Sequence, residues 1–356
     1  MRRWDSKRDR SECLGFKAAT GTSMSATSAA KGNTFSIVVT SYTLDRLGDI
    51  CDLLTSIRAQ TYPHVETIFV ADQSEELAER VGEHAERVSL PIRVVLNRGG
   101  AGVNVCRNMG IAAAQGDIVG LVDDDAVLFP DWAEAMVDSY SRDPAVVAVT
   151  GPTIPLWEDK GMSWFPREFY WMWGCTVWEW EEVRQIRNVG GMNCSYKREA
   201  LQQVGLYRPG LGPQGGEEKI RWFHPSGEEV ELSLRLRKLL KGAKIIYNPR
   251  VKAYHKVQKS RFVPAFMIKR AFRFGYSKHF VEELFHHDFQ NEPVLGLERD
   301  HLSHILFRMP LSLLGELPRS PLAVWRKLLV AFAVTLFAGL GYWVYFVRPV
   351  RGANEA

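Results

Sequence analysis

Three adjacent carboxylates, Asp123, Asp124 and Asp125, close the apolar run "GDIVGLV" in a chain of 356 residues. Adjacent carboxylates repel, and burial raises their pKa values unless a positive group sits among them. In an extended segment side chains alternate, so Asp123 and Asp125 share one side and Asp124 takes the other. Carboxylate oxygens suit hard divalent cations such as Mg²⁺ or Mn²⁺, which often bind one or two carboxylates plus substrate phosphates. That leaves Asp124 to the backbone or a basic neighbour. A second acidic run, "GEEVELSLRLR" (227–237), places Glu228, Glu229 and Glu231 at the start of a helical pattern. Negative charge there complements the helix dipole. A buried member of the set would also have the raised pKa of a general base for a hydroxyl. His255 follows a strand pattern and an Asn248-Pro249 turn. It becomes a metal ligand if the fold returns it to the aspartates. Finally, Gly99, Gly100 and Gly102 enter a helix whose free N–H groups favour an anion, with Arg107 a turn further on. The spacing is neither GxGxxG nor GxxxxGK[ST].

These groups need a scaffold that gathers them. "TFSIVVTSY" (34–42), "VETIFVADQS" (65–74), "IRVVLN" (92–97) and "DIVGLVDDD" (117–125) read as strands. Between them, 48–60, 75–88 and 102–115 have helical spacing; Ile50, Leu53, Leu54 and Ile57 form one apolar face. Alternating strands and helices imply an α/β fold, a mostly parallel sheet with helices on both faces. Ligands of such sheets bind beyond the carboxyl ends of the strands. Thr40, Ser41, Tyr42, Asp72 and the three aspartates therefore converge on one crevice. Further on, 145–156 reads as a strand entering a loop and 243–255 as a strand pair. Residues 193–201 and 229–240 look helical at their ends, and 264–286 and 301–317 look helical throughout. Trp171, Trp173, Trp178 and Trp180 alternate, as an aromatic floor for a sugar, a membrane-facing loop or core packing would.

A net charge of +4 lacks the strong basic stripe of a nucleic-acid binder. The five cysteines, Cys13, Cys51, Cys106, Cys175 and Cys194, show no CxxC and imply neither a disulfide framework nor a zinc site. Residues 1–33 are polar and charged, as a disordered tail would be. Near the other end, Leu328 to Val347 has no charged residue over twenty positions. At about 1.5 Å per residue it spans about 30 Å, the hydrocarbon thickness of a bilayer. The expected organisation is a catalytic domain (34–256), a helical membrane-proximal region (257–325), a transmembrane helix (326–348) and a short tail (349–356).

In this order, the elements resemble a family-2 glycosyltransferase with the GT-A nucleotide-sugar-binding fold, over about 34–256. The resemblance implies that Thr40, Ser41 and Tyr42 cradle the nucleoside and that Asp72 contacts the base. The glycine that usually follows this aspartate is Gln73 here. Arg107, Asn108 and Gly110 match the "RN.G" segment, and Asp123 and Asp125 match the metal-binding DxD. Asp124, beside them, joins the donor-side set. "GGMN", with Gly191 and Asn193, matches the glycine-rich acceptor-side segment. The catalytic Glu-Asp pair aligns with Glu228-Glu229, so Glu229 stands in the place of the base, with Glu228 and Glu231 as competitors. His255 matches a metal-proximal histidine. "FPREFYWMWGCT", "GEEVEL" and "FGYSK" also resemble glucosyl-dolichyl-phosphate glucuronosyltransferase-type enzymes. That narrower likeness implies a polyprenyl-phosphate-linked acceptor. The QxxRW motif of processive synthases is absent: Arg221-Trp222 precedes the carboxylates, with Glu218 in place of the glutamine.

The implied activity is inverting transfer of one sugar from a nucleotide sugar, a UDP-sugar such as UDP-glucuronate, with Mn²⁺ or Mg²⁺ as cofactor. The implied partners are the donor, a lipid-linked or other glycan acceptor and the membrane. Nucleotide sugars are cytosolic, so a single-pass C-terminal anchor in the cell membrane would leave the catalytic domain cytoplasmic. Two other readings compete. A sugar nucleotidyltransferase would carry a basic, glycine-rich triphosphate loop, which "VVTSYTLDRLG" lacks. A catalytically silent sugar-nucleotide or glycan-binding subunit would bind without turnover.

Overall fold

The computed structural model describes residues 34–177, 180–212, 222–289 and 293–349. The tail expected over 1–33, Cys13, Trp178, Glu218, Arg221 and most of the tail expected over 349–356 lie outside the described residues.

The first strand, β1 (Phe35–Ser41), sets the two-sided core. Phe35, Ile37 and Val39 face one layer and Val38 the other, as the strand period of two dictates. On the first side pack α1 (Leu47–Arg58), α2 (Glu75–Arg87) and α4 (Trp132–Arg142). On the second pack α3 (Val103–Ala113), α5 (Arg198–Val204) and α6 (Glu228–Leu239). The other strands are β2 (Val65–Asp72), β3 (Arg93–Asn97), β4 (Ile118–Asp123), β5 (Ala126–Leu128), β6 (Val146–Thr150), β7 (Thr153–Trp157), β8 (Arg184–Gln185), β9 (Asn193–Lys197), β10 (Lys244–Tyr247) and β11 (Ala253–Val257).

The large sheet runs β3-β2-β1-β4-β9-β6-β10-β8. Pairings among β1 to β4 and between β6 and β10 are parallel; β9 is antiparallel to both its neighbours, β4 and β6. The fold is the expected mixed α/β arrangement. Residues 193–197 are a central strand, and the helical end expected for 193–201 begins at Arg198. The two strands expected over 243–255 join different sheets: β10 the large one and β11 a second, β5-β11-β7. That split places the site. Antiparallel pairing with β5 sets His255 opposite Ala126, the residue after Asp125.

Among the described residues four α-helices follow: α7 (Pro264–Phe285), α8 (Gly296–Ser303), α9 (Met309–Leu314) and α10 (Pro321–Val347). Helix α10 is long and apolar enough to cross a membrane. It is also part of the domain, because it lies along α7. A Cβ on Gly275 would stand 1.8 Å from the Ala338 carbonyl oxygen, and one on Gly341 1.9 Å from that of Phe272. Glycine at both crossings lets the backbones touch, the close approach that small residues permit between apolar helices. The opposite face of α10, from Leu322 through Trp325, Leu329, Phe332, Leu336, Leu340 and Trp343, is exposed and apolar.

Candidate active site

The carboxyl ends of the strands open into one crevice of about 870 Å³, which the walls of α7 and α10 extend. Strand β4 delivers Asp123, and Asp124 and Asp125 form the turn into β5. The two outer aspartates do share a side. Ligand-type atoms of Asp123, Asp125 and His255 lie within 4.8 Å of one another. Asp125 Oδ1 is 2.9 Å from His255 Nε2, yet this buried oxygen has no aligned hydrogen bond. Two oxygens and an imidazole nitrogen, facing a common point, fit a cation such as Mn²⁺. Asp124 turns away to Arg46, at 2.5 Å, and accepts a hydrogen bond from the Ser41 hydroxyl.

The acid cluster is held by positive groups that sequence spacing did not reveal. Arg46 also reaches Asp125 at 3.4 Å, and Arg261 approaches the same oxygen at 3.5 Å. Burial drives Asp124 up to about 7, with Arg46 opposing and Asp125 reinforcing the shift. Asp125 is lower than an ordinary carboxylate: burial acts against its charge, and His255 and Arg46 together outweigh burial. His255 is correspondingly raised, since Asp125 and then Cys175 together overcome the burial that would keep the ring neutral.

Arg107 links the two halves of the crevice. Its guanidinium donates to Asp123 at 3.0 Å, reaches Glu228 at 3.5 Å and lies 5.6 Å from the centre of the Tyr207 ring. The next residues lock the helix in place. Asn108 exchanges two hydrogen bonds with the Tyr207 backbone, and Gly110 leaves no room for a Cβ against Val38.

Glu229 lines the crevice and is partly buried. Burial and then the neighbouring Glu228 raise it to about 7. It faces Gly191, where an added Cβ would stand 3.4 Å from its carboxyl carbon. Glu228 accepts from the Gly227 N–H and packs on Gly212, a left-handed residue with φ +78°.

Two expected site residues are turned elsewhere. Glu231 is fully buried and paired with Arg208 and Arg235, each at 2.9 Å, so it braces helix α6. Helical geometry explains this: Glu231 lies two positions beyond Glu229, on a different face. The Asn193 amide is also fully buried. It accepts from Trp132 Nε1 at 2.7 Å and donates to the Pro152 and Val251 carbonyls. It fastens the second sheet to the first.

At the donor end, Thr40, Ser41 and Tyr42 line the crevice, and so does Asp72. Both Asp72 oxygens are engaged, by Asn97 at 2.7 Å and by the Gly102 N–H at 3.0 Å. The helix start at Gly102 is thus partly occupied by the protein's own carboxylate. Gln73 adopts φ 58°, the left-handed conformation glycine takes most easily, and its amide donates to the Gly99 carbonyl. The tryptophan segment 167–173 is a 3₁₀ helix, so strand alternation does not apply. Trp173 packs in the core with Phe165 and Phe262, whereas Trp171 stacks on Phe274 of α7 at 4.0 Å.

The sequence model of glycosyl transferase family 2 matches residues 36–205. The glucosyl-dolichyl phosphate glucuronosyltransferase of Haloferax volcanii is 30% identical over 88% of this chain and 96% of its own length. The chain belongs to glycosyl transferase family 2. This glycosyltransferase is also 36% identical to an uncharacterised one of Bacillus subtilis, over 48% of this chain and 61% of that protein. Its fold is like that of a Pyrobaculum calidifontis mannosyltransferase solved in complex with GDP-mannose and Mn²⁺. The TM-score is 0.54 at 19% identity, covering 91% of this chain and 78% of that one. The fold is therefore GT-A.

Proposed function

We propose that the enzyme transfers one sugar, with inversion, from a UDP-sugar to a hydroxyl of a polyprenyl-phosphate-linked acceptor at a membrane surface. The observation that carries this reading is Arg107, which bridges Asp123 to Glu228. It holds the donor carboxylates and the Glu228-Glu229 pair a single guanidinium apart. Asp123, Asp125 and His255 would hold Mn²⁺ or Mg²⁺. A divalent cation there supplies positive charge for the leaving diphosphate. Arg107 adds fixed charge on the same side. Thr40, Ser41, Tyr42 and Asp72 receive the nucleoside, and Gly191 borders the acceptor opposite Glu229.

Glu229 is the base. Its pKa of about 7 keeps a substantial deprotonated fraction at neutral pH while leaving it basic enough to accept a hydroxyl proton. Glu228 raises that pKa and keeps Arg107 in place. The acceptor hydroxyl loses its proton to Glu229 as its oxygen bonds to the anomeric carbon, and the bond to the nucleotide diphosphate breaks on the opposite face.

The Haloferax relative's name supports the lipid-linked acceptor and makes a uronic-acid donor the first to test. The exposed apolar face of α10 supports membrane attachment, and use of a cytosolic nucleotide sugar would put the catalytic domain on the cytoplasmic side. Incubating the purified chain with UDP-glucuronate, UDP-glucose and UDP-N-acetylglucosamine, Mn²⁺ and glucosyl polyprenyl phosphates tests the reading. A mass shift of one sugar on the lipid is expected. Nucleotide binding without any transferred or released sugar would overturn it.

A further inference from the structure

The crevice continues past the carboxylates into a wall built by α7 and α10, and part of the positive charge on that wall has no carboxylate within 4.0 Å among the described residues. Arg46, Arg107, Arg187, Arg261 and Lys278 each stand within 4.0 Å of a carboxylate. Arg270 and Arg273 also line the crevice, but among the described residues neither has a carboxylate at that distance. They lie three apart on α7, hence on one face, where like charges repel. Arg273 is 3% exposed, and its Nε has no hydrogen-bond partner. Burial, then Arg270, push Arg273 down to about 10, with Glu228 opposing the shift weakly. Across from them, the buried Thr335 hydroxyl of α10 also lacks a partner and lines the same cavity. A buried guanidinium with unused donors is costly unless an anion completes it.

The surroundings say what carries that anion. Around the arginines the wall is apolar, with Phe274, Val334, Ala338 and Trp343 lining it. Trp343 is 68% exposed and continues onto the outer apolar face of α10. The arginines also sit on the acceptor side. One turn after Arg273, the Ser277 hydroxyl accepts from the Ser226 N–H at 2.8 Å, just ahead of the helix that bears Glu229.

We propose that Arg270, Arg273 and the Thr335 hydroxyl seat the phosphate of a polyprenyl phosphate, whose hydrocarbon chain leaves along the apolar crevice wall past Trp343 toward the lipid phase. Guanidinium forks match phosphate oxygens in pairs, and the anion relieves the repulsion between the two arginines. A phosphate held there leaves the attached sugar to extend toward Glu229. The assignment rests on the acceptor class named above, and its test is a binding measurement that needs no turnover.

The full-length chain in detergent is titrated with farnesyl phosphate, farnesol and a phosphatidylglycerol, and separately with UDP plus Mn²⁺. Farnesyl phosphate should bind at least tenfold more tightly than farnesol or phosphatidylglycerol. Arg273→Gln and Arg270→Ala should each erase that difference, while the UDP titration stays unchanged and shows a folded donor site. Arg273→Lys, which keeps the charge, should retain part of the preference. Equal losses for farnesol would overturn the assignment. So would a loss confined to UDP, which would give the arginines to the donor diphosphate, or equal binding of phosphatidylglycerol, which would give them to the bilayer. Arginine-dependent farnesyl phosphate binding in a chain that transfers no sugar would sink the proposed reaction and leave the phosphate seat standing.

Discussion

Replacing Glu229 by glutamine keeps the shape of the side chain and removes its capacity to accept a proton. A positioned general base contributes about 10²–10⁴ in rate, so the kcat of Glu229→Gln should fall by at least about a hundredfold, about 2.7 kcal/mol of barrier. The affinity for UDP with Mn²⁺ should stay near wild type, because the amide lies on the acceptor side of Arg107. The wild-type pH profile carries a second, independent signature. With a pKa of about 7, about one tenth of Glu229 is deprotonated at pH 6 and about nine tenths at pH 8. The sign follows from the base role: kcat rises through neutrality and is lost as the carboxyl protonates below it. Glu228→Gln removes the second cause of the raised value, so the acidic limb should move to lower pH. Single-turnover transfer from a radiolabelled UDP-sugar across pH 5.5–9 reads all three. A Glu229→Gln enzyme within about tenfold of wild type, or a flat profile between pH 6 and 8, would refute the assignment of the base.

Three other perturbations separate roles that the crevice brings close together. Asp125→Ala and His255→Ala should each weaken UDP binding in the presence of Mn²⁺ by about tenfold or more and leave metal-free binding little changed, read by calorimetry with and without the ion. Gly341→Ala should cost about 1–3 kcal/mol by overpacking against the Phe272 carbonyl, whereas Gly339→Ala, with nothing within 4 Å of its Cβ, should be neutral or stabilising; thermal denaturation compares them, and equal Tm values would refute the close crossing. Trp132→Phe should lower stability by about 1–3 kcal/mol by stranding the buried Asn193 oxygen. Acceptor affinity in that variant should not change, and a selective loss of acceptor affinity in a stable Trp132→Phe protein would instead return Asn193 to the acceptor site.

The parts of this enzyme that a sequence reveals are those set by local period. The apolar run before Asp123 is a buried strand, and the Ile50–Ile57 face is the buried face of α1. What stayed hidden depends on distant pairing. Arg46 neutralises Asp124 from 78 positions away, and nothing in "LDRLG" marks it. His255 is a candidate in the sequence only on condition that the fold returns it, and its route to Asp125 runs through β5, a strand of only three residues. Strand β9 carries a polar Asn, Ser and Lys, yet it is central and buried, because Trp132, Tyr140 and backbone carbonyls satisfy the inward groups. Helix α10 is apolar nearly all round, so its composition alone cannot separate a lipid-facing side from the side that packs on α7. That distinction is made by Gly341 meeting Phe272 and Gly275 meeting Ala338, a contact between segments some sixty residues apart.

The two departures from the family pattern each sit against a glycine. Gln73 takes the place of a glycine and still adopts the left-handed backbone. Its side chain donates to the Gly99 carbonyl, which ties the end of β2 to the glycine loop that Asp72 also holds through Gly102. The loop keeps its turn and gains a clamp at the price of some backbone strain. Glu229 replaces an aspartate, and a side chain longer by one methylene must either retreat from the acceptor or find space beside it. It lies against Gly191, where an added Cβ would come to 3.4 Å from the carboxyl carbon, an ordinary packing distance. The same carbonyl-bearing residue accepts from Arg107 at 3.4 Å. Glu229, the glycine facing it and the arginine that reaches Asp123 therefore form one chain of contacts. A change in any of them should be read first as a change in where Glu229 points, and only then as a change in its charge.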